Sequence, residues 1–463
     1  MIDKSPNKVI EDLGDGLVMR SAVREEADAL AEFCAKVFID EESGTEAYWI
    51  AEWIRDLVGK PHPTLSLDDV IIVEDVEKGR YASTTTYLSQ AWSYDGVEFE
   101  IGRPEIVGTH RDYRNRGLVR KQFDVMHRWA SERGHDVQIV LGIPSYYRQF
   151  GYEYALYAEG GRQTSIHTFP RWGDKEERKF RLREPTVDDV PFITKILNES
   201  AKRSLVSPVF REDEIRYMTF DRTERSAVCH RTAILCRSEG QVFREPIGVM
   251  MYAMVTPIDL GGILRLEMSE PRYWREALPS ALREFVELAD KASNQDPSPE
   301  RAIKSVRLDM QPDHPAFIFD DGALGQPPEH QYGWYVRVSD IAAFLRKISS
   351  ALERRLEESF HAGFTGDLVL RFDRDTVKIA FEDGRVTDVV THSAAYRNAV
   401  SSGWQTATAR FPGTSFLPVL FGMRSVGETL LAHTDASAGS KSDRHLIETL
   451  FPKRSSDLML TLT

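Results

Sequence analysis

The strongest constraint on this 463-residue chain is that its opening pattern occurs twice. Leu17-Val18-Met19-Arg20 is an apolar strand ending in Arg, and the acidic pair Glu25-Glu26 begins five residues after that Arg. Phe180-Arg181-Leu182-Arg183 repeats it, with Asp188-Asp189 in the same place after Arg183. In each copy a helix follows: Ala27, Leu30, Cys34 and Val37 fall at helical spacing in the first, and Val190, Ile193 and Leu197 in the second. The acidic pairs suit the positive end of a helix, and Thr186 with Asp189 has capping-box spacing. Two copies of one strand–helix start imply a duplicated unit.

The rest of the chain is long enough for more than two units, since a domain takes about 150 residues. Pro170, Gly173 and a charge run interrupt the pattern between His167 and Lys179, and the polar stretch Ser293 to Arg301 reads as a loop inside the second unit. From Ser339 to Phe360 the pattern is helical, with Ile341, Phe344, Leu345 and Ile348 on one face. Past Gly363 it turns to strands. Thr376 to Phe381 and Val386 to Val390 flank Asp383-Gly384, a strong hairpin signal. Helical stretches near Phe416 to Phe421 and Arg444 to Leu450 complete a separate last unit. The expected fold class is α+β with mixed sheets, divided into residues 1–172, 173–350 and 351–463.

Composition narrows the function classes. With 59 Lys+Arg against 72 Asp+Glu the net charge is −13, which disfavours nucleic acid as a partner and favours cationic substrates. Cys34, Cys229 and Cys236 cannot form a disulfide framework, which fits a reducing compartment. The twelve histidines and three cysteines show no metal spacing, so no metal is expected. The N-terminus lacks a secretory apolar core, and no run reaches the length of a membrane span. These features imply a cytoplasmic protein without a membrane partner.

Against the acidic background, one segment is rich in arginine. Glu105 to Thr109 reads as a strand, His110 to Arg116 as a polar loop with Arg111, Arg114 and Arg116, and Gly117 opens a helix that stops at Gly134. Val119, Phe123, Met126 and Ala130 line one face of that helix, and Val137, Ile139 and Leu141 alternate as the next strand. A strand, a basic loop with one Gly and a helix start is the arrangement that binds pyrophosphate. The first helical turn presents unpartnered N–H groups and the positive end of the dipole. Gly117 removes a Cβ from the approach, and Arg114, Arg116 and Arg120 add fixed charge.

Arg114-Asn115-Arg116-Gly117-Leu118-Val119 resembles the Gln/Arg-x-x-Gly-x-Gly/Ala motif of the GNAT acetyltransferases, with Val119 where Gly or Ala is usual. Tyr147-Arg148-Gln149-Phe150-Gly151-Tyr152 is similar to the Tyr-x-x-Phe-Gly-Tyr/Phe ending of many members. Together with the repeat and the last unit, the whole chain resembles the Eis-like (enhanced intracellular survival) family. That resemblance implies an acetyl-CoA-binding GNAT unit, a second, degenerate GNAT unit and an SCP2-like (sterol-carrier-like) unit, assembled as homo-oligomers (trimers or hexamers). The second unit lacks the Arg-x-x-Gly loop, so it is expected to bind no coenzyme.

The resemblance also implies roles. Val107, Gly108 and Thr109 would pair with the pantetheine arm of acetyl-CoA. Arg114, Asn115, Arg116, Gly117, Leu118, Val119 and Arg120 would hold the pyrophosphate, and Gly142 and Ile143 would form a second coenzyme contact. Pro144 removes a backbone donor there, which fits either strands splaying apart or a plain strand end. Tyr147 matches the general-acid tyrosine, and a phenol of pKa about 10 can protonate a departing thiolate. Tyr146 and Tyr152 are expected to pack, and His110 to be structural or a phosphate neighbour. The carboxylate of Thr463 matches the family's general base in position, although the tail lacks a terminal aromatic. Glu105 is the competing base, but a strand carboxylate there reads more simply as solvated.

The expected function is therefore N-acetyl transfer from acetyl-CoA to a primary amine, of an aminoglycoside-like polyamine or a lysine side chain. The alternative is a non-catalytic carrier of an apolar ligand through the SCP2-like unit.

Overall fold

The computed structural model describes residues 8–39, 44–157, 161–173, 176–240, 242–255, 260–295, 302–319, 324–325, 332–393 and 407–458. The strands in chain order are β1 (Val9–Gly14), β2 (Leu17–Ser21), β3 (Val70–Asp75), β4 (Arg80–Tyr94), β5 (Val97–Thr109), β6 (Val137–Val140) and β7 (Glu153–Tyr157). Next come β8 (Arg162–Ser165), β9 (Phe180–Arg183), β10 (Val206–Pro208), β11 (Arg231–Glu239), β12 (Val242–Val255), β13 (Leu260–Met268) and β14 (Ser305–Leu308). The last are β15 (Gly333–Val338), β16 (Gly366–Arg371), β17 (Asp375–Glu382), β18 (Arg385–Ser393), β19 (Ala409–Arg410) and β20 (Ser437–Ala438).

They form three mixed sheets. The first runs β1-β2-β3-β4-β5-β6-β15-β7, with β10 also paired to β4. The second runs β8-β14-β13-β12-β11-β9, and the third β18-β17-β16-β19-β20. The fold is thus mixed α and β, as expected.

The repeat has a physical counterpart. Arg20 forks onto Glu26 at 2.6 and 3.0 Å, and Glu26 also accepts from the Val23 amide at 2.9 Å. Arg183 forks onto Asp189 at 2.7 Å on both oxygens, and Asp189 accepts from the Thr186 amide at 2.7 Å. In both copies the second acid of the pair caps the helix start and clamps the preceding strand by a bidentate guanidinium. Helices α1 (Ala27–Val37), α2 (Tyr48–Gly59), α3 (Leu118–Arg133) and α4 (Val190–Ala201) complete the elements that matter for the site.

Sheet membership does not follow the linear division at residues 172 and 350. β8, from the first segment, pairs with β14 of the second sheet, whereas β10 and β15, from the second segment, join the first. Ile341, Phe344, Leu345 and Ile348 also cross the division. They share one core with Leu368 and Ile379 of the third sheet and with Trp92, Ile101 and Trp334 of the first. No local pattern encodes such pairings, because they are set by which sheet edge the returning chain meets. The hairpin at Asp383-Gly384 formed as its sequence predicts, with both residues left-handed at φ 49° and 75°.

Candidate active site

The site begins where two strands part. β5 and β6 run parallel but pair only at Ile101–Val137 and Gly102–Gln138. Beyond that, β5 carries a bulge against β4: the register passes from Thr84–Gly108 to Thr86–Glu105, leaving Ile106 and Val107 opposite Thr85. Ile106 sits at φ 50°, a costly conformation for a β-branched residue, so the bend is held by its surroundings. The Thr85 and Thr86 hydroxyls both donate to the Glu105 carbonyl, which pins the bulge.

The bulge opens onto a cleft of about 810 Å³. Val107, Gly108 and Thr109 form one wall, Arg114 to Arg120 the floor, and Ile143, Tyr146, Tyr147, Gln149 and Phe150 the other side. All the residues assigned to coenzyme contact therefore meet at this cleft, except that Gly142 lies behind it, under the ring of Tyr147. A Cβ on Gly142 would come within 2.6 Å of Tyr147 Cε2. Thr463 lies outside the described residues.

At the cleft floor, Asn115 (φ 63°) and Gly117 (φ 75°) adopt left-handed conformations, and Gly117 is the N-cap of α3. The first turn of α3 holds no acidic residue, and a Cβ at Gly117 would meet nothing within 4 Å, so the approach to the helix amides is open. Arg111 and Arg116 face carboxylates only at long range, Asp112 at 3.8 Å and Asp15 at 3.9 Å, on exposed side chains. Arg120 is held by Gln149 at 2.9 Å and lies over the Phe150 ring. Exposed, weakly compensated cations around a helix N-terminus fit a polyphosphate, and these residues fit the diphosphate of a coenzyme A.

Tyr147 is 5% exposed and stands in an aromatic box. Its ring lies 5.7 Å from Phe123, 5.1 Å from Tyr146 and 5.5 Å from Tyr335. Phe123 stacks on Phe150 at 4.6 Å, so the Tyr-x-x-Phe spacing serves to brace one ring against another. Burial raises the Tyr147 phenol above its usual value, and the charge of Glu105 adds to it, so the proton stays on Oη at neutral pH. Tyr152 is buried and its hydroxyl meets His127 Nε2 at 3.2 Å, and Tyr146 packs edge-on, as expected. His110 accepts from the Asp112 amide at 3.3 Å, a structural turn contact.

Glu105 corrects the sequence reading. It is buried, not solvated, and accepts from Arg103 Nε at 2.7 Å. Burial raises its carboxyl above the ordinary value, against the pull of Arg103, because the low-dielectric site disfavours the charged form. Arg103 in turn lies over the Trp334 ring at 4.6 Å. Trp334, at the start of β15, thus packs on the cation that holds Glu105.

Tyr335 and Tyr332, which arrive on and just before β15, carry no local signal that would place them at the site. The Ser145 amide donates to the Tyr335 hydroxyl at 2.5 Å, and the Tyr332 hydroxyl donates to the Gly142 carbonyl. Tyr335 also stacks on Tyr154 at 3.9 Å. The turn from Gly142 to Tyr147 is thus fastened by two tyrosines distant in the chain. Val37 and Phe38, at the end of α1, complete the cleft beside Gly108, where any Cβ would press on both at 3.0 and 3.1 Å. In the second sheet, β13 and β14 pair over four residues without a comparable splay. Among the described residues no helix is long and apolar enough to cross a membrane, and no cluster of three or more His, Cys, Asp or Glu could hold a metal.

Residues 18–155 match the model of the acetyltransferase (GNAT) domain. No curated protein sequence matches the chain. Among solved structures, the chain is similar to a GCN5-related N-acetyltransferase from Anabaena variabilis, at 11% identity and TM-score 0.65, over 96% of this chain and 99% of that one. It is similar to a GCN5-related N-acetyltransferase from Kribbella flavida, at 14% identity and TM-score 0.62, over 96% and 97%. It is similar also to Eis1 from Mycobacterium abscessus, at 12% identity and TM-score 0.56, over 98% of each chain. The chain therefore carries a GNAT acetyltransferase domain over residues 18–155, which supports an acetyl-CoA-dependent acyltransferase, within a fold shared along nearly its whole length with GCN5-related N-acetyltransferases.

Proposed function

We propose that the protein transfers the acetyl group of acetyl-CoA to a primary amine, of a polyamine or a lysine side chain, by direct attack. The observation that carries this reading is the meeting, at one cleft, of the arginine-rich start of α3 with the buried Tyr147 hydroxyl. GNAT domains in general use acetyl-CoA, which would supply the thioester. Arg114, Arg116 and Arg120 with the first amides of α3 would bind its diphosphate, and Val107 to Thr109 would run beside its arm.

In the reaction the amine nitrogen bonds to the acetyl carbon, the carbon–sulfur bond breaks, and the thiolate takes the Tyr147 proton. The ammonium formed on attack loses its proton to a base. Glu105 is the first candidate for that base: it is buried beside the bulge on Arg103, and burial raises its carboxyl above the ordinary value. The Thr463 carboxylate is the second candidate for that base. We further propose a division into a GNAT unit, a degenerate GNAT unit and an SCP2-like unit, in a cytoplasmic homo-oligomer. The direct test is thiol release from acetyl-CoA across a panel of amines. Amine-dependent release is expected, and its absence with every amine would overturn the proposal.

A further inference from the structure

On the face of the first sheet away from α3, the second segment brings a second polar cluster against α2. Its centre is Arg222. The Nη1 group donates to the Val228 carbonyl at 2.9 Å and meets His230 Nδ1 at 3.3 Å, while Nε and Nη2 are enclosed without a partner among the described residues. Because His230 Nδ1 accepts, its proton sits on Nε2, which is also enclosed and unpartnered. His62 repeats the arrangement: Nδ1 accepts from the Thr64 amide at 3.2 Å, and Nε2 is enclosed and unpartnered. Tyr217 ties the groups together, its ring 4.6 Å from His62 and 5.8 Å from the Arg222 guanidinium.

The free atoms of these three side chains are all N–H donors. The neighbouring acid does not answer them, because Asp56 is occupied by the Thr223 amide at 2.9 Å, the Thr223 hydroxyl at 2.6 Å and Lys60 at 2.7 Å. Burial pulls both imidazoles down to about 3, so they are neutral, and leaves Arg222 charged at neutral pH although lowered to about 10. A buried cation whose neighbouring acid, Asp56, is already shared with Lys60, and a set of donors unanswered among the described residues, are each unfavourable. An anion relieves both.

The cluster is linked to the bulge through a shared apolar group. Val228 packs into the same apolar group as Leu88 and Ile106, and Ile106 is the bulge residue beside the cleft. The charge of Arg103, the partner of Glu105, is near enough to act on Arg222.

We propose that Arg222, with the Nε2–H groups of His62 and His230, binds a carboxylate of the amine acceptor, so that the acceptor is an amino acid or a similar amine-bearing acid. This rests on the acetyl-transfer reading and narrows its acceptor. The test uses acceptor pairs that share an amine and differ by one carboxylate: lysine and cadaverine, ornithine and putrescine, phenylalanine and phenethylamine. For at least one pair, kcat/KM is expected to favour the acid by about tenfold or more. Arg222→Gln should remove that preference while leaving the decarboxylated partner unchanged, and Arg222→Lys should retain part of it. If Arg222→Gln does not fold, acetate should inhibit transfer to the acid competitively and leave transfer to its decarboxylated partner unaffected. Equal kcat/KM within every pair, an equal loss for both members in Arg222→Gln, or acetate acting on both alike would overturn the proposal. Thiol release with none of the six amines would instead overturn the acetyl-transfer reading beneath it.

Discussion

The Ser145 amide donates to the Tyr335 hydroxyl at 2.5 Å, joining the turn that carries Tyr147 to a strand that begins 188 residues later, at Gly333. Ser145 sits at φ 66°, a strained conformation for a non-glycine residue, so this bond and the ring contact with Tyr335 hold a geometry that the turn does not favour alone. Tyr335→Phe keeps the ring and deletes the acceptor, which costs about 1 kcal/mol. The expected result is a fall in kcat of about fivefold to tenfold with KM for acetyl-CoA nearly unchanged. Steady-state kinetics on both substrates would decide it, and an unchanged kcat would remove Tyr335 as a positioning residue.

Tyr147→Phe removes the proton held at Oη. Loss of a general acid reduces turnover by about a hundredfold or more. Coenzyme affinity, set at the α3 end of the cleft, should stay within twofold (~0.4 kcal/mol). Gly142→Ala should mimic this variant, because its new Cβ displaces the Tyr147 ring. Full activity in either variant would contradict the assigned geometry.

Arg116→Glu reverses a charge at the floor of the cleft. Acetyl-CoA should bind at least about tenfold more weakly, because a charge-assisted phosphate contact is worth about 1.5 to 3 kcal/mol. Titration calorimetry measures this directly, and the wild-type affinity should fall as salt rises. An unaltered Kd would move the diphosphate site elsewhere.

The Arg183–Asp189 clamp makes a prediction about acid stability. The Arg183 guanidinium holds the Asp189 carboxyl down at about 2, below its ordinary value of 3.8. Its stabilisation is therefore full above pH about 4 and is lost as pH falls toward 2, amounting to about 2 kcal/mol. In Asp189→Asn the unfolding free energy should drop at neutral pH and depend less on pH between 4 and 2. Denaturant titrations at several pH values would show parallel curves if the clamp contributes nothing.

The sequence alone determined what rests on local spacing. The repeated Arg-to-acid clamps, the Asp383-Gly384 hairpin, the Gly117-to-Gly134 helix and the basic loop all follow from residues within a turn or two of each other. The Tyr147 spacing to Phe150 and Tyr152 was legible for the same reason. Tertiary structure decided the rest. The transfer of β8, β10 and β15 between sheets depends on edges that meet only after the chain has folded back. The tie from Tyr335 to Ser145 and the packing of Trp334 on Arg103, the partner of Glu105, both depend on β15 lying between β6 and β7. The donors around Arg222 likewise face one another only because α2 and the second segment share one seam. Burial and long-range contact set the charge state of a side chain, and periodicity carries no record of either.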